Sequence, residues 1–155
     1  MPATADRLPA WRRRRWNTGE RIGMRVEEGL FRMVYVSRNA IPAASQEAEI
    51  ARILEVSRRN NQAAGITGAL LYSADSFAQA LEGPEAAMEA LYARLSRDPR
   101  HAEVLVISAG PVAARQFSQW SMAFAGRHDG LSFAALQGGL DPSAALLAGA
   151  AGDPG

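Results

Sequence analysis

Three side chains with polar tips stand where the surrounding pattern calls for apolar ones: Tyr35, Asn61 and Gln79. In the segment FRMVYVS, strand alternation puts Phe31, Met33, Tyr35 and Ser37 on one face, so a phenol enters a largely apolar layer. In SFAQALE, Phe77, Gln79 and Leu81 share a face, with Glu82 marking the opposite, outer one. The Gln79 amide is thereby set between two large apolar neighbours, where an unpaired amide costs about 1–3 kcal/mol. Between residues 50 and 61, a turn of 100° per residue gathers Ile50, Ile53, Leu54, Ser57 and Asn61 into one stripe that begins apolar and ends polar. Each residue has a plainer reading as well: a tyrosine buried for bulk, a stray core glutamine, a capping asparagine. Three inward polar tips in one small domain nevertheless point to a shared polar ligand. The inventory suits reversible proton and hydrogen-bond chemistry. Tyrosine is a hydroxyl donor on a redox-active ring, and a glutamine amide presents an acceptor and two donors that exchange places on a flip.

Composition removes several other chemistries. There is no cysteine, so disulfides, thiolate metal sites and a cysteine nucleophile are excluded, and a reducing cytoplasm is the expected location. All 17 basic residues are arginine, which excludes a lysine Schiff base. No run approaches the length of a membrane span. The net charge of +1 is unevenly distributed: residues 1–25 carry a balance of +5, including WRRRRW at 11–16, and residues 26–155 a balance of −4. An acidic body argues against a broad nucleic-acid surface on the folded domain.

The elements that must position the three residues follow from periodicity and punctuation. Residues 1–29 hold three glycines and two prolines without a sustained period and are expected to be a disordered, arginine-rich tail. The first strand covers Phe31 to Ser37. Ser45 is the expected cap of a helix with Glu47 and Glu49 in its first turn, running to about Asn61 with Gly65 beyond its end. ITGALLYS at 66–73 and Ser76 to Glu82 form a hairpin about Ala74-Asp75. Gly83-Pro84 opens a second helix with a Met88, Leu91, Leu95 stripe, and Asp98-Pro99 stops it. Glu103 to Ser108 is a fourth strand. Trp120 to Ala125 is a fifth, with Trp120, Met122 and Phe124 on one face. One short helix, Pro142 to Ala151, is expected in the extension 127–155. The order βαββαββ indicates an α+β, ferredoxin-like domain over 30–126: an antiparallel or mixed sheet with two helices on one face.

With these elements in place, VYVSR at 34–38, SRRNNQAAGITGALLYS at 57–73, FAQALEG at 77–83, RDPRH at 97–101 and RQFSQWSM at 115–122 resemble the BLUF family of blue-light receptors in order and spacing. The resemblance covers about 31–125. It implies an oxidised flavin (FAD, with FMN or riboflavin as alternatives) held noncovalently between the two helices. It implies that Tyr35 is the photoactive tyrosine, Gln79 the switching glutamine and Asn61 the amide bonded to the flavin ring. Ser57 and Asn60 fall beside the ring, Arg100 and His101 in the segment on the ribityl and phosphate side, and Trp120 and Met122 form the pair linked to signal output. The implied output is a separate signalling protein or self-assembly into a homo-oligomer, with no catalysis by the chain and no membrane or nucleic-acid partner.

Three rival readings remain on the same fold. An acylphosphatase-like hydrolase would need Arg38 or Arg59 with Asn61 to cradle a phosphate, and no glycine loop follows the first strand to help it. An RNA-recognition module would need stacking aromatics on the open face of the sheet, where Ala78, Ala80 and Glu82 are expected. A ligand-free assembly module would leave the three polar tips without a common purpose.

Overall fold

The computed structural model describes residues 29–153; the arginine-rich tail lies outside the described residues. Strand β1 spans Leu30–Asn39, helix α1 Gln46–Ala64, β2 Thr67–Tyr72, β3 Ser76–Pro84, α2 Glu85–Leu95, β4 His101–Pro111 and β5 Ala123–Arg127. Two further helices follow, α3 at Phe133–Gln137 and α4 at Ser143–Ala151. The sheet order is β4-β1-β3-β2-β5, with the β4–β1, β1–β3 and β3–β2 pairs antiparallel and β5 parallel to β2. This is the expected α+β ferredoxin-like arrangement.

Local chemistry sets the element ends. α1 ends because Gly65 takes the left-handed conformation, φ 73°, and donates its N–H back to the Asn61 carbonyl. The start of α1 departs from expectation. The chain enters through a 3-10 turn at Ala43–Ser45, so Ser45 already has near-helical ψ, and its hydroxyl makes no capping bond. Pro84 precedes the first residue of α2 rather than occupying it.

The sheet separates two apolar layers. The inner one joins Phe31, Met33, Tyr35, Phe77 and Leu81 to Ile50, Ile53, Leu54 and Met88 from α1 and α2. The outer one joins Val34, Val36, Ala69, Leu71, Ala78 and Ala80 to Leu136, Leu146 and Ala150 from the C-terminal helices. The face expected to be open at Ala78, Ala80 and Glu82 is therefore covered, and all three residues are buried. The extension contains two helices rather than one, because Ser132 caps a short turn of helix by accepting from the Ala135 N–H before the longer α4 begins.

Glu82 has a different role from the solvent-facing marker its position suggested. It is fully buried. Its carboxylate accepts from Arg32 Nε at 2.8 Å, Gln116 N at 2.7 Å, Phe117 N at 2.9 Å and Thr67 Oγ1 at 3.3 Å. Four donors satisfy the charge that burial would otherwise make costly. They also fasten the β4–β5 loop to the middle of the sheet.

Candidate flavin site

Tyr35 and Gln79 are direct cross-strand partners in the β1–β3 register, both on the inner face. The Tyr35 hydroxyl donates to Gln79 Oε1 in a buried hydrogen bond. Burial, and secondarily the charge of Asp98, pushes the phenol well above its ordinary range, so it stays protonated and needs an acceptor. The amide oxygen of Gln79 fills that need, which turns its NH2 the other way, toward Met122 Sδ at 4.0 Å. Sulfur is a weak acceptor, so this half of the amide is poorly paired.

Asn61, in the last turn of α1, lines the same cleft as Gln79 and is 2% exposed. Its Nδ2 donates to the Ser121 carbonyl at 2.8 Å. The stripe that ends polar is thus real: Ile50, Ile53, Leu54 and Asn61 are the inward residues of the helix, with Ser57 half-buried between them.

These groups line a cleft of about 190 Å³ between α1, α2 and the sheet. Ile53, Val56, Leu91 and Leu95 supply apolar walls, Asn61, Gln79 and Met122 the polar end, and Ser57 and Asn60 one side. Arg94, Asp98, Arg100 and His101 lie along the opposite end. Every residue assigned to flavin binding from the sequence therefore lines one cleft. Arg94 and Asp98 were missed; their place on the α2 end and the turn after it was the available signal.

The electrostatics of that end are matched internally. Arg100 holds Asp98 through contacts of 2.8–3.2 Å and reaches Glu49 at 3.4 Å. Burial pushes the Asp98 carboxyl up, but hydrogen bonds and charge from Arg100 outweigh it and hold it below its ordinary range. His101 makes a 2.8 Å hydrogen bond through Nδ1 to the buried Ser37 hydroxyl. Its ring sits 4.5 Å from that of Phe77 and edge-on to Tyr35 at 6.4 Å. Burial pushes this imidazole down to about 4, Asp98 and Arg100 acting in opposite directions, so it is neutral near pH 7.

Trp120 and Met122, expected as a pair, are split. β5 begins at Ala123, where pairing with Ala69 of β2 starts, so Trp120 and Met122 precede the strand and do not alternate as strand residues. Met122 is buried in the inner layer beside Gln79, whereas Trp120 packs on the outer layer with Phe117. The segment 117–123 therefore crosses from one side of the sheet to the other. The expectation that Trp120 and Met122 share a face is corrected accordingly.

Neither candidate arginine pairs with Asn61: Arg59 is exposed and stands two residues, about 200° of helix, from the buried Asn61. Arg38 lies on the outer side, over the Phe133 ring at 4.4 Å and bonded to Glu103, with the sheet between it and Asn61. Among the described residues no cluster of His, Asp or Glu could hold a metal ion, and no helix is long and apolar enough to cross a membrane.

The cleft fits a flavin on its own features. The amide NH2 of Gln79 has only a thioether in reach, and the Asn61 side-chain oxygen accepts from nothing among the described residues. A heterocycle with carbonyls and ring nitrogens between apolar walls supplies partners for both. Comparison with known proteins agrees. The family described as "Sensors of blue-light using FAD" matches residues 30–123. The photoactivated adenylate cyclase subunit alpha of Euglena gracilis is 33% identical over 96 residues, which is 62% of this chain and 9% of that protein. The chain thus spans about a tenth of the curated relatives it matches. Among solved structures, the BLUF protein BlrB in its dark state superposes with a TM-score of 0.67 at 35% identity, covering 80% of this chain and 97% of that one. Klebsiella pneumoniae BlrP1 with FMN and cyclic diGMP superposes with a TM-score of 0.54 at 30% identity, over 64% of this chain and 26% of that one. The inward Tyr35–Gln79 pair, the polar-ended helix and these matches converge: the chain belongs to the BLUF family of blue-light sensors that use flavin.

Proposed function

We propose that this chain reports blue light through a rearrangement of the Tyr35–Gln79 hydrogen bond beside a flavin held against Asn61. The observation that carries the reading is the buried Tyr35 hydroxyl donating to Gln79 Oε1, whose amide lines the same cleft as Asn61. A bound flavin supplies absorption of blue light and a site that accepts an electron and a proton.

The chain's own residues supply the rest. Tyr35 holds the proton at its Oη, with Gln79 Oε1 as its acceptor, and burial excludes water from that bond. When the Tyr35 proton leaves and returns, the Gln79 amide is free to rotate or to change tautomer, and an amide that has turned offers N–H where it offered oxygen. Met122 Sδ, the weak partner of the Gln79 NH2, then faces a different group. Asn61 fixes the ring from α1, Ser57 and Asn60 flank it, and His101 with Ser37 braces the far side of Tyr35.

FAD is the flavin we assign. FMN or riboflavin would place the same ring in the same cleft, and the tail would leave over the end where Arg94 and Arg100 stand. Residues 30–126 act as the flavin-binding sensory unit, and 127–155 extend it at the C-terminal side. The domain senses rather than catalyses, and its signal passes in the cytoplasm to a separate protein or between copies of this chain.

Magnitudes limit the output. One rearranged hydrogen bond is worth about 0.5–1.5 kcal/mol net, whereas driving a two-state element from 1:99 to 99:1 needs about 5.5 kcal/mol. The output is therefore a modest bias unless segment 117–123, which spans both layers, amplifies it. The test is one absorption spectrum of the purified chain, before and after blue light. A yellow protein with a reversible red shift is expected. A colourless protein that ignores added flavin refutes the reading.

A further inference from the structure

The inward end of the site is tied to the C-terminal helix by three side chains. On α1, Arg58 and Asn61 stand three residues apart and hold consecutive carbonyls of one segment: Arg58 Nε donates to Met122 O at 2.8 Å and Asn61 Nδ2 to Ser121 O at 2.8 Å. Residues three apart on a helix are neighbours on its surface, so the pair grips the segment from one side. From the other side, Asp153, just past the end of α4, accepts from the Phe124 N–H at 2.6 Å and from Arg58 at 3.3 Å, and its side chain is 9% exposed. Arg58 thus reaches the Met122 carbonyl with one arm of its guanidinium and the terminus of α4 with another.

A second observation places α4 hard against the same strand. A Cβ at Gly149 would stand 2.4 Å from the Ala125 carbonyl oxygen and 2.7 Å from the Ala125 Cβ, so only glycine permits this approach. Leu146 and Ala150 on either side of it are fully buried. α4 therefore has no slack on β5: a shift at the head of the strand either carries the helix with it or opens the bonds at Asp153.

Resting on the light-sensing reading above, we infer that Arg58 and Asp153 form a latch that couples Met122 to α4, and that light releases the C-terminal end of α4 through it. The route is contiguous. The Gln79 NH2 touches Met122 Sδ, the Met122 carbonyl is held by Arg58, and Arg58 is paired with Asp153. When Gln79 turns, Met122 loses its partner and moves, the Arg58 bond to its carbonyl is disturbed, and the bonds of Asp153 to Arg58 and to the Phe124 N–H are disturbed with it.

Hydrogen exchange of the full flavin-bound chain, in the dark and under blue light, tests the latch. In wild type, the amides of residues 146–153 and of Phe124 are expected to exchange about tenfold faster in the light, as loss of about one charge-assisted hydrogen bond requires. Asp153→Asn keeps the shape and removes the charge. Its α4 is expected to exchange in the dark at the illuminated wild-type rate, while its absorption shift on illumination is kept. Arg58→Gln is expected to behave likewise. Wild-type protein that shifts its absorption normally but shows the same α4 exchange in light and dark refutes the latch alone. So does an Asp153→Asn chain that keeps the full light–dark difference. A wild-type chain with no absorption shift refutes the light-sensing reading, and the latch with it.

Discussion

Glu82→Ala removes a carboxylate that is fully buried and accepts from four donors. The buried Phe117 N–H loses its acceptor once the carboxylate is gone, the N–H of the exposed Gln116 is left to water, and Arg32 loses the partner of its buried side. Breaking a buried ion pair by deleting one member costs about 3–5 kcal/mol. The Arg32 side chain is 21% exposed and regains some water, and the Thr67 bond is long, so the lower half of that range applies: about 3–4 kcal/mol. For a domain of this size the melting temperature should fall on the order of 10 °C. Glu82→Gln keeps the volume and one acceptor but turns an NH2 toward donors, and should lose about 2 kcal/mol. Urea unfolding followed by circular dichroism in the dark reads both losses as a shift in midpoint. The flavin itself should remain bound, because Glu82 faces away from the cleft. A Glu82→Ala chain within about 0.5 kcal/mol of wild type would show that the network is dispensable, and that the β4–β5 loop is held by the packing of Phe117 instead.

The other tests concern the site. Tyr35→Phe keeps the ring in its packing and removes the hydroxyl, so flavin should stay bound while the reversible red shift disappears; absorption under illumination checks this, and a normal photocycle would reduce Tyr35 to a core residue. Gln79→Leu is close in volume and loses both donors and the acceptor; it should fold and bind flavin yet show no lasting shift, and infrared difference spectra should lose the lowered C4 carbonyl stretch. His101 is held neutral, with its folded value near 4 below an unfolded value of about 6.5. The unfolded chain therefore binds the proton first, and stability falls as the pH drops from about 6.5 to 4, by at most about 3.5 kcal/mol at ~1.4 kcal/mol per unit. Unfolding midpoints across that window should slope less in His101→Gln, and an equal slope would place the acid sensitivity elsewhere.

How far the sequence reached can be traced residue by residue. Alternation alone put Tyr35 and Gln79 inward, because a strand's side chains change face at every residue whatever surrounds it. The 3.6-residue period put Asn61 on the apolar stripe of α1 by the same kind of local rule. That they face each other was not local: the Tyr35–Gln79 register is a pairing across 44 residues, set by how β1 and β3 bury their apolar faces together. The fifth strand was misplaced because WSMAFA alternates well over its whole length, while the ladder with β2 begins only at Ala123 and leaves Trp120 to turn onto the other layer. Glu82 read as a surface residue because nothing in β3 announces Arg32, Gln116 and Phe117, which arrive from β1 and from a loop more than thirty residues later. The helix SAALLAGAA is apolar on every side, so no period marks the face it buries. The sequence by itself marked which side chains are candidates for the chemistry. Only the tertiary structure, through contacts between distant segments, decided which of them meet, which layer Trp120 enters and how α4 is fastened to the site.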